Sequence, residues 1–203
     1  AAPALALDAM QARWAAASLT EAADANALAD RWDALPKPLQ ADPIVVAAYA
    51  ARAADMRWDE AAARNIEQAL ATRWDESLVD LYGRLPATAP DARREQLTRW
   101  LQAHPESPST LIALARLQPW PTAEASLHRA IAQGGGARAW EALADGYAGS
   151  GDAESARLAY ANALRATRGE ATLALPNRDL RQQIQDAAAI EVRDEHGVPR
   201  LRE

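Results

Sequence analysis

Residues 137–170 read "ARAWEALADGYAGSGDAESARLAYANALRATRGE", and the fold turns on how this stretch is read. With Ala137 as position 1, Trp140 takes position 4, Leu143 position 7, Ala144 position 8 and Tyr147 position 11. Ala156, Tyr160 and Ala163 follow at 20, 24 and 27. The apolar residues recur three and four apart, so each half is an amphipathic helix, and Gly149 to Gly151 break the two. Small residues at 8, 20 and 27 let two antiparallel helices approach. Large ones at 4, 7, 11 and 24 fill the space between turns.

This is the tetratricopeptide spacing, with tyrosine where phenylalanine is usual and Arg168 where proline is common. The unit recurs outward along the chain. From Pro43, Val46, Tyr49, Ala50, Ala62, Ile66 and Ala69 take the same positions. From Asp75, Leu78, Leu81 and Tyr82 fit a first helix, and 91–103 supplies a looser second one. From Pro108, Leu111, Leu114 and Ala115 fit; a short turn, "QPWP" at 118–121, leads to Ala123, Leu127 and Ala130. Starts at 43, 75, 108 and 137 approach the ~34-residue period of this repeat. Residues 1–42 read as a degenerate helical pair carrying Trp14 and Trp32, and 171–203 as a capping helix and tail. The expected fold is an all-α, right-handed solenoid of antiparallel helix pairs, with ten or eleven helices.

Composition agrees. About a quarter of the 203 residues are alanine, the strongest helix former, and phenylalanine is absent. Seven tryptophans supply the bulk. "RWDE" occurs at 57–60 and 73–76, and "RWD" at 31–33. The spacing is too short for propeller blades of ~40–45 residues. The motif reads instead as helix punctuation: Asp59 and Asp75 as N-caps, Glu60 and Glu76 in the first turn. Trp74 is expected to staple onto Val79, Trp58 to wedge against a neighbouring helix pair, and the 31–33 copy to be coincidence.

The chemistry-bearing patterns are sparse. Net charge is −6, which disfavours nucleic acid, and there is no cysteine. His104, His128 and His196 lack metal-ligand spacing. Gly134 to Gly136 follow no strand and form no dinucleotide loop; they read as a flexible connection. Ser18, Ser77 and Ser107 suit helix ends better than nucleophilic roles. No enzyme and no metal site are expected. No apolar run reaches the ~18 residues of a membrane span. The start, "AAPALALDAM", lacks a basic n-region and so does not read as a signal peptide; it begins without methionine, which suggests a processed chain or an excised fragment whose membrane anchor could have been cut away.

Stacked helix pairs create a concave face lined by the first helix of each pair. Its candidate residues are Ile44, Ala47 and Ala51; Val79 and Gly83; Ile112 and Arg116; and Arg138, Glu141 and Asp145. The expected function is a scaffold that docks protein partners there. One alternative is a haem or porphyrin carrier with His104 or His128 as ligand. Another is a self-assembling repeat module.

Trp74-Asp75 followed by Leu78-Val79 and Leu81-Tyr82-Gly83, then Trp100-Leu101 with His104-Pro105, then Leu111 to Leu117, resembles the proteobacterial HemY family. Asn65-Ile66-Glu67-Gln68-Ala69-Leu70 and the Pro43 to Ala50 stretch fit as well, so the resemblance spans most of 30–170. It implies the C-terminal tetratricopeptide part of a protein held in the bacterial inner membrane by an N-terminal anchor, with this part on the cytoplasmic side. It further implies an adaptor role in late haem biosynthesis, with enzymes of that pathway as partners and no flavin.

Overall fold

The computed structural model describes residues 2–120, 122–176, 192–193 and 199–200, with side chains for 7–120 and 122–176. The described residues form eleven α-helices and one ladder of two-residue strands, so the class is all-α. The ladder pairs Val192 with Arg200 and Arg193 with Pro199 in the tail. Residues 171–176 are not helical, and the rest of the expected capping helix lies outside the described residues. The chain divides into two compact units, Ala1–Pro90 and Asp91–Glu203.

In the first unit, α1 (Ala2–Thr20), α2 (Ala25–Asp33) and α3 (Lys37–Gln40) precede α4 (Pro43–Asp55), α5 (Asp59–Thr72) and α6 (Glu76–Arg84). Helix α4 is central and packs on the other five. It starts where a proline can occupy the first turn, with the Asp42 side chain accepting from the Ile44 amide at 2.9 Å. Its inward face, Val45, Val46, Tyr49, Ala50 and Ala53, is buried, as are Leu19, Leu28, Ala62 and Ile66 in and beside the helices it packs on. Arg52 donates from Nε and Nη2 to the Ala22 carbonyl at 3.0 and 2.7 Å, fixing the α1–α2 turn.

The two RWDE copies are built differently. Asp75 is the N-cap of α6, accepting from the Ser77 and Leu78 amides at 2.9 and 3.1 Å. The Trp74 indole N–H donates to Glu76 at 2.8 Å, so the motif closes on itself. Asp59 is not a cap: it is the first residue of α5, after a Trp58 cap that makes no side-chain bond. There the turn is set by α4 instead. The Trp58 amide reaches the Ala53 carbonyl at 2.8 Å and the Arg57 amide reaches Ala54 at 2.9 Å. This Schellman closure puts Arg57 in the left-handed region, at φ 63°.

In the second unit, α7 (Pro90–Ala103), α8 (Pro108–Ala115), α9 (Thr122–Ala132), α10 (Gly136–Ser150) and α11 (Ala153–Thr167) precede the ladder. Helix α10 packs on α8, α9 and α11, and α8 on α9. Their shared core contains Leu111, Leu127, Ala139, Trp140, Leu143, Ala144, Tyr147, Ala156 and Ala159. Ser107 caps α8, its Oγ accepting from the Thr110 amide at 3.1 Å, as its place before Pro108 predicts.

Tyr160 corrects the expected pattern. At position 24 it should be interior, yet it is 42 % exposed. The buried face of α11 is Ser155, Ala156, Ala159 and Asn162, all small or medium. That face lies close on α10 and turns the phenol to the flank. Asn162 holds the following segment by its main chain: Nδ2 donates to the Leu173 carbonyl at 2.9 Å, and Oδ1 accepts from the Leu173 amide at 2.6 Å.

Candidate functional site

In the second unit, Ile112 and Ala115 of α8, Ala123 and Leu127 of α9, and Ala142, Asp145, Gly146 and Gly149 of α10 surround a cleft of about 370 Å³. Arg116, Gln118, Trp120 and Ser150 complete its lining. Three of the expected groove residues, Ile112, Arg116 and Asp145, therefore meet at one site.

Trp120 shapes this cleft. A Cβ at Gly146 would come within 2.4 Å of its Cζ3 atom, so the indole lies where position 146 has no side chain. Its ring meets Tyr147 edge-on, with centroids 5.2 Å apart. The Tyr147 hydroxyl donates to Glu124 at 2.7 Å, and His128 Nε2 lies 3.2 Å from the same oxygen. With its hydrogen given to Glu124, that oxygen accepts from a His128 Nε2–H. Gln118 is held by the Ser126 hydroxyl at 2.8 Å. The wall is thus fixed from behind, while Arg116 and Asp145 stand exposed at its edge. Asp145 accepts from the Tyr160 hydroxyl at 2.5 Å, and this bond pushes the phenol above its ordinary pKa.

The remaining groove candidates do not gather in this way. Val79 is fully buried in the first unit, whereas Ile112, one of the three that gather, lines the cleft at 3 % exposure. Val79 is therefore interior rather than a groove residue: Leu78, Val79 and Tyr82 together form the inward face of α6. Ile44 is 52 % exposed, Ala51 exposed, and Ala47 and Gly83 half-buried. Arg138 and Glu141 are exposed on α10 and do not line the cleft. His128 is buried, its Nε2 engaged with Tyr147; His104 is half-buried at the end of α7, its amide bonded to the Trp100 carbonyl at 2.8 Å.

The first unit has its own cavity, of about 470 Å³. Trp32 and Asp33 line one part, Tyr49 another, and Arg57, Trp58, Asp59, Glu60 and Arg64 a third. The 31–33 triplet, expected to be coincidence, thus shares a cavity with the 57–60 copy. The Trp32 and Tyr49 rings lie 4.6 Å apart at 45°. Burial pushes the Tyr49 phenol up, the Asp33 charge adds to that, and Arg64 opposes it. Trp58 is 40 % exposed, open to the cavity rather than wedged away.

Gly134 to Gly136 are more than a flexible connection. Gly134 closes α9 at φ 84°, and a Cβ on Gly135 would come within 2.8 Å of both the Ala130 carbonyl and Ala139 Cβ. Trp120 and Gly146 were missed at the sequence level. The one available signal was a tryptophan between two prolines in a turn too short for its repeat.

Among the described residues no three His, Cys, Asp or Glu side chains are grouped to hold a metal ion. No described helix is long and apolar enough to cross a membrane. No protein-family model, curated protein or solved structure matches the chain.

Proposed function

We propose that this chain is a non-catalytic docking module of tetratricopeptide type, and that the cleft along α8 and α10 receives a segment of a partner protein. In this reading α4–α5, α8–α9 and α10–α11 are antiparallel pairs of a right-handed solenoid. The observation that carries it is the convergence of Ile112, Arg116 and Asp145, from the first helices of successive pairs, on one cleft. That is where helical repeats present their binding surface. An apolar floor with a few polar groups at the edge suits a peptide that buries side chains and orients by hydrogen bonds. The resemblance to the HemY family makes haem-biosynthesis enzymes at the bacterial inner membrane the first partners to try.

Gly149 gives a clean test. It lines the cleft, and a Cβ placed on it meets nothing within 4 Å. Gly149→Leu should therefore fill the site while raising helix propensity by roughly 0.8 kcal/mol. The expected result is an unchanged or higher Tm together with at least tenfold weaker capture of partners by the full chain. Arg116→Glu should weaken capture as well. Undiminished capture by both variants overturns the cleft as the docking site.

A further inference from the structure

We infer that the cavity of the first unit, walled by Trp32, Tyr49 and Trp58, is a second site, and that it receives an arginine side chain on an exposed segment of a partner protein. The inference rests on the docking reading above but uses different residues and a different unit.

The walls supply the chemistry. Aromatic faces attract a cation through the ring quadrupole, and a guanidinium also stacks flat on them. Trp58 is 40 % exposed and Trp32 half-buried, so ring surface remains open toward the cavity. Asp33 and Asp59 line the same space and form no ion pair among the described residues. Glu60 is offset by Arg64, 3.6 Å away. A fork-shaped cation can therefore stack on an indole and meet a free carboxylate at once.

Charge selects the same sign over a wider range. Residues 1–90 hold thirteen carboxylates against eight basic side chains, so most of the net charge of −6 falls in this unit. Such a field attracts cations before contact. The volume, about 470 Å³, exceeds what one side chain fills. It leaves room for flanking main chain, whose carbonyls the Arg57 guanidinium at the wall can meet. That favours an arginine carried on a peptide over a free small cation.

Two-dimensional NMR of the indole N–H groups, in the full chain, reads the site directly. The probes are a capped pentapeptide Ala-Ala-Arg-Ala-Ala, its citrulline counterpart, and N-acetylarginine amide. The arginine peptide should shift the Trp32 and Trp58 resonances saturably and bind at least tenfold more tightly than N-acetylarginine amide. The neutral citrulline peptide should give no saturable shift. Asp33→Asn, at an exposed position, should weaken the arginine peptide at least fivefold, and Trp58→Leu should weaken it with Tm unchanged. The inference is overturned by no saturable shift, by an equal response to citrulline, by unaltered affinity in Asp33→Asn, or by equal affinity for the capped amino acid. Because the probe replaces the natural partner, this titration can fail while Gly149→Leu still abolishes capture, and the reverse.

Discussion

Among the described residues, four helices end in the same backbone closure, and three of them place glycine in the left-handed position: Gly134, Gly151 and Gly169. The fourth places Arg57 there, at φ 63°. A residue with a Cβ pays roughly 1–2 kcal/mol in that region, and glycine recovers part of this at the expense of a more flexible unfolded chain. Arg57→Gly is therefore expected to stabilise the protein by about 0.5–1 kcal/mol, read as a higher denaturant midpoint at unchanged slope. A loss of stability would show that the arginine side chain contributes more at the cavity wall than its backbone costs. The opposite constraint acts at Gly146. There φ is ordinary and the space is taken by the Trp120 indole, so any side chain displaces the ring. Spacing alone could not reveal this, because the tryptophan is far from the glycine in sequence.

Helix boundaries were the most legible elements. Pro43, Pro90 and Pro108 open α4, α7 and α8 as a residue without an amide hydrogen should. Asp152 caps α11: the Ser155 amide donates to its carboxylate at 3.0 Å and holds its pKa below the ordinary value. The folded value lies under the unfolded one. The cap's contribution is thus complete above the unfolded value of about 3.9 and is lost as pH falls through the folded value. Asp152→Asn retains an acceptor without the titration. Its Tm should fall less steeply than the wild type's below about pH 4. Parallel acid limbs for the two proteins would show that the bond adds nothing that titrates. Asp59 shows why motif identity is not enough. The same four letters cap a helix at 75 but at 59 fall one residue inside it, because the closure that ends α4 leaves Trp58 at the cap position.

Across the whole molecule, the helical class follows from alanine content and three-four periodicity, whereas the burial of particular faces does not. In the second unit Leu143 is fully buried where α10 meets its neighbours. Leu143→Ala is expected to cost about 2–5 kcal/mol, with hydrogen exchange accelerated at the amides of α8, α9 and α10. Exchange rates unchanged in those helices would mean that the contacts of this core do not limit their opening. In the first unit the core is assembled around α4, and residues distant in sequence gather at its end. That is how Trp32-Asp33 comes to share a cavity with Arg57 to Arg64.

The sequence by itself determined most helix starts and breaks, and that helices such as α4, α10 and α11 carry a buried face, since capping and periodicity act within a few residues. It also put Ile112 within α8, Arg116 at its end and Asp145 within α10. Only the tertiary structure decided that Val79 is interior and Tyr160 exposed, that Trp120 floors a cleft, and that two copies of a motif share one cavity. Those outcomes depend on how far neighbouring helices rotate as their side chains fill space, and that rotation is set by contacts between residues remote in the chain.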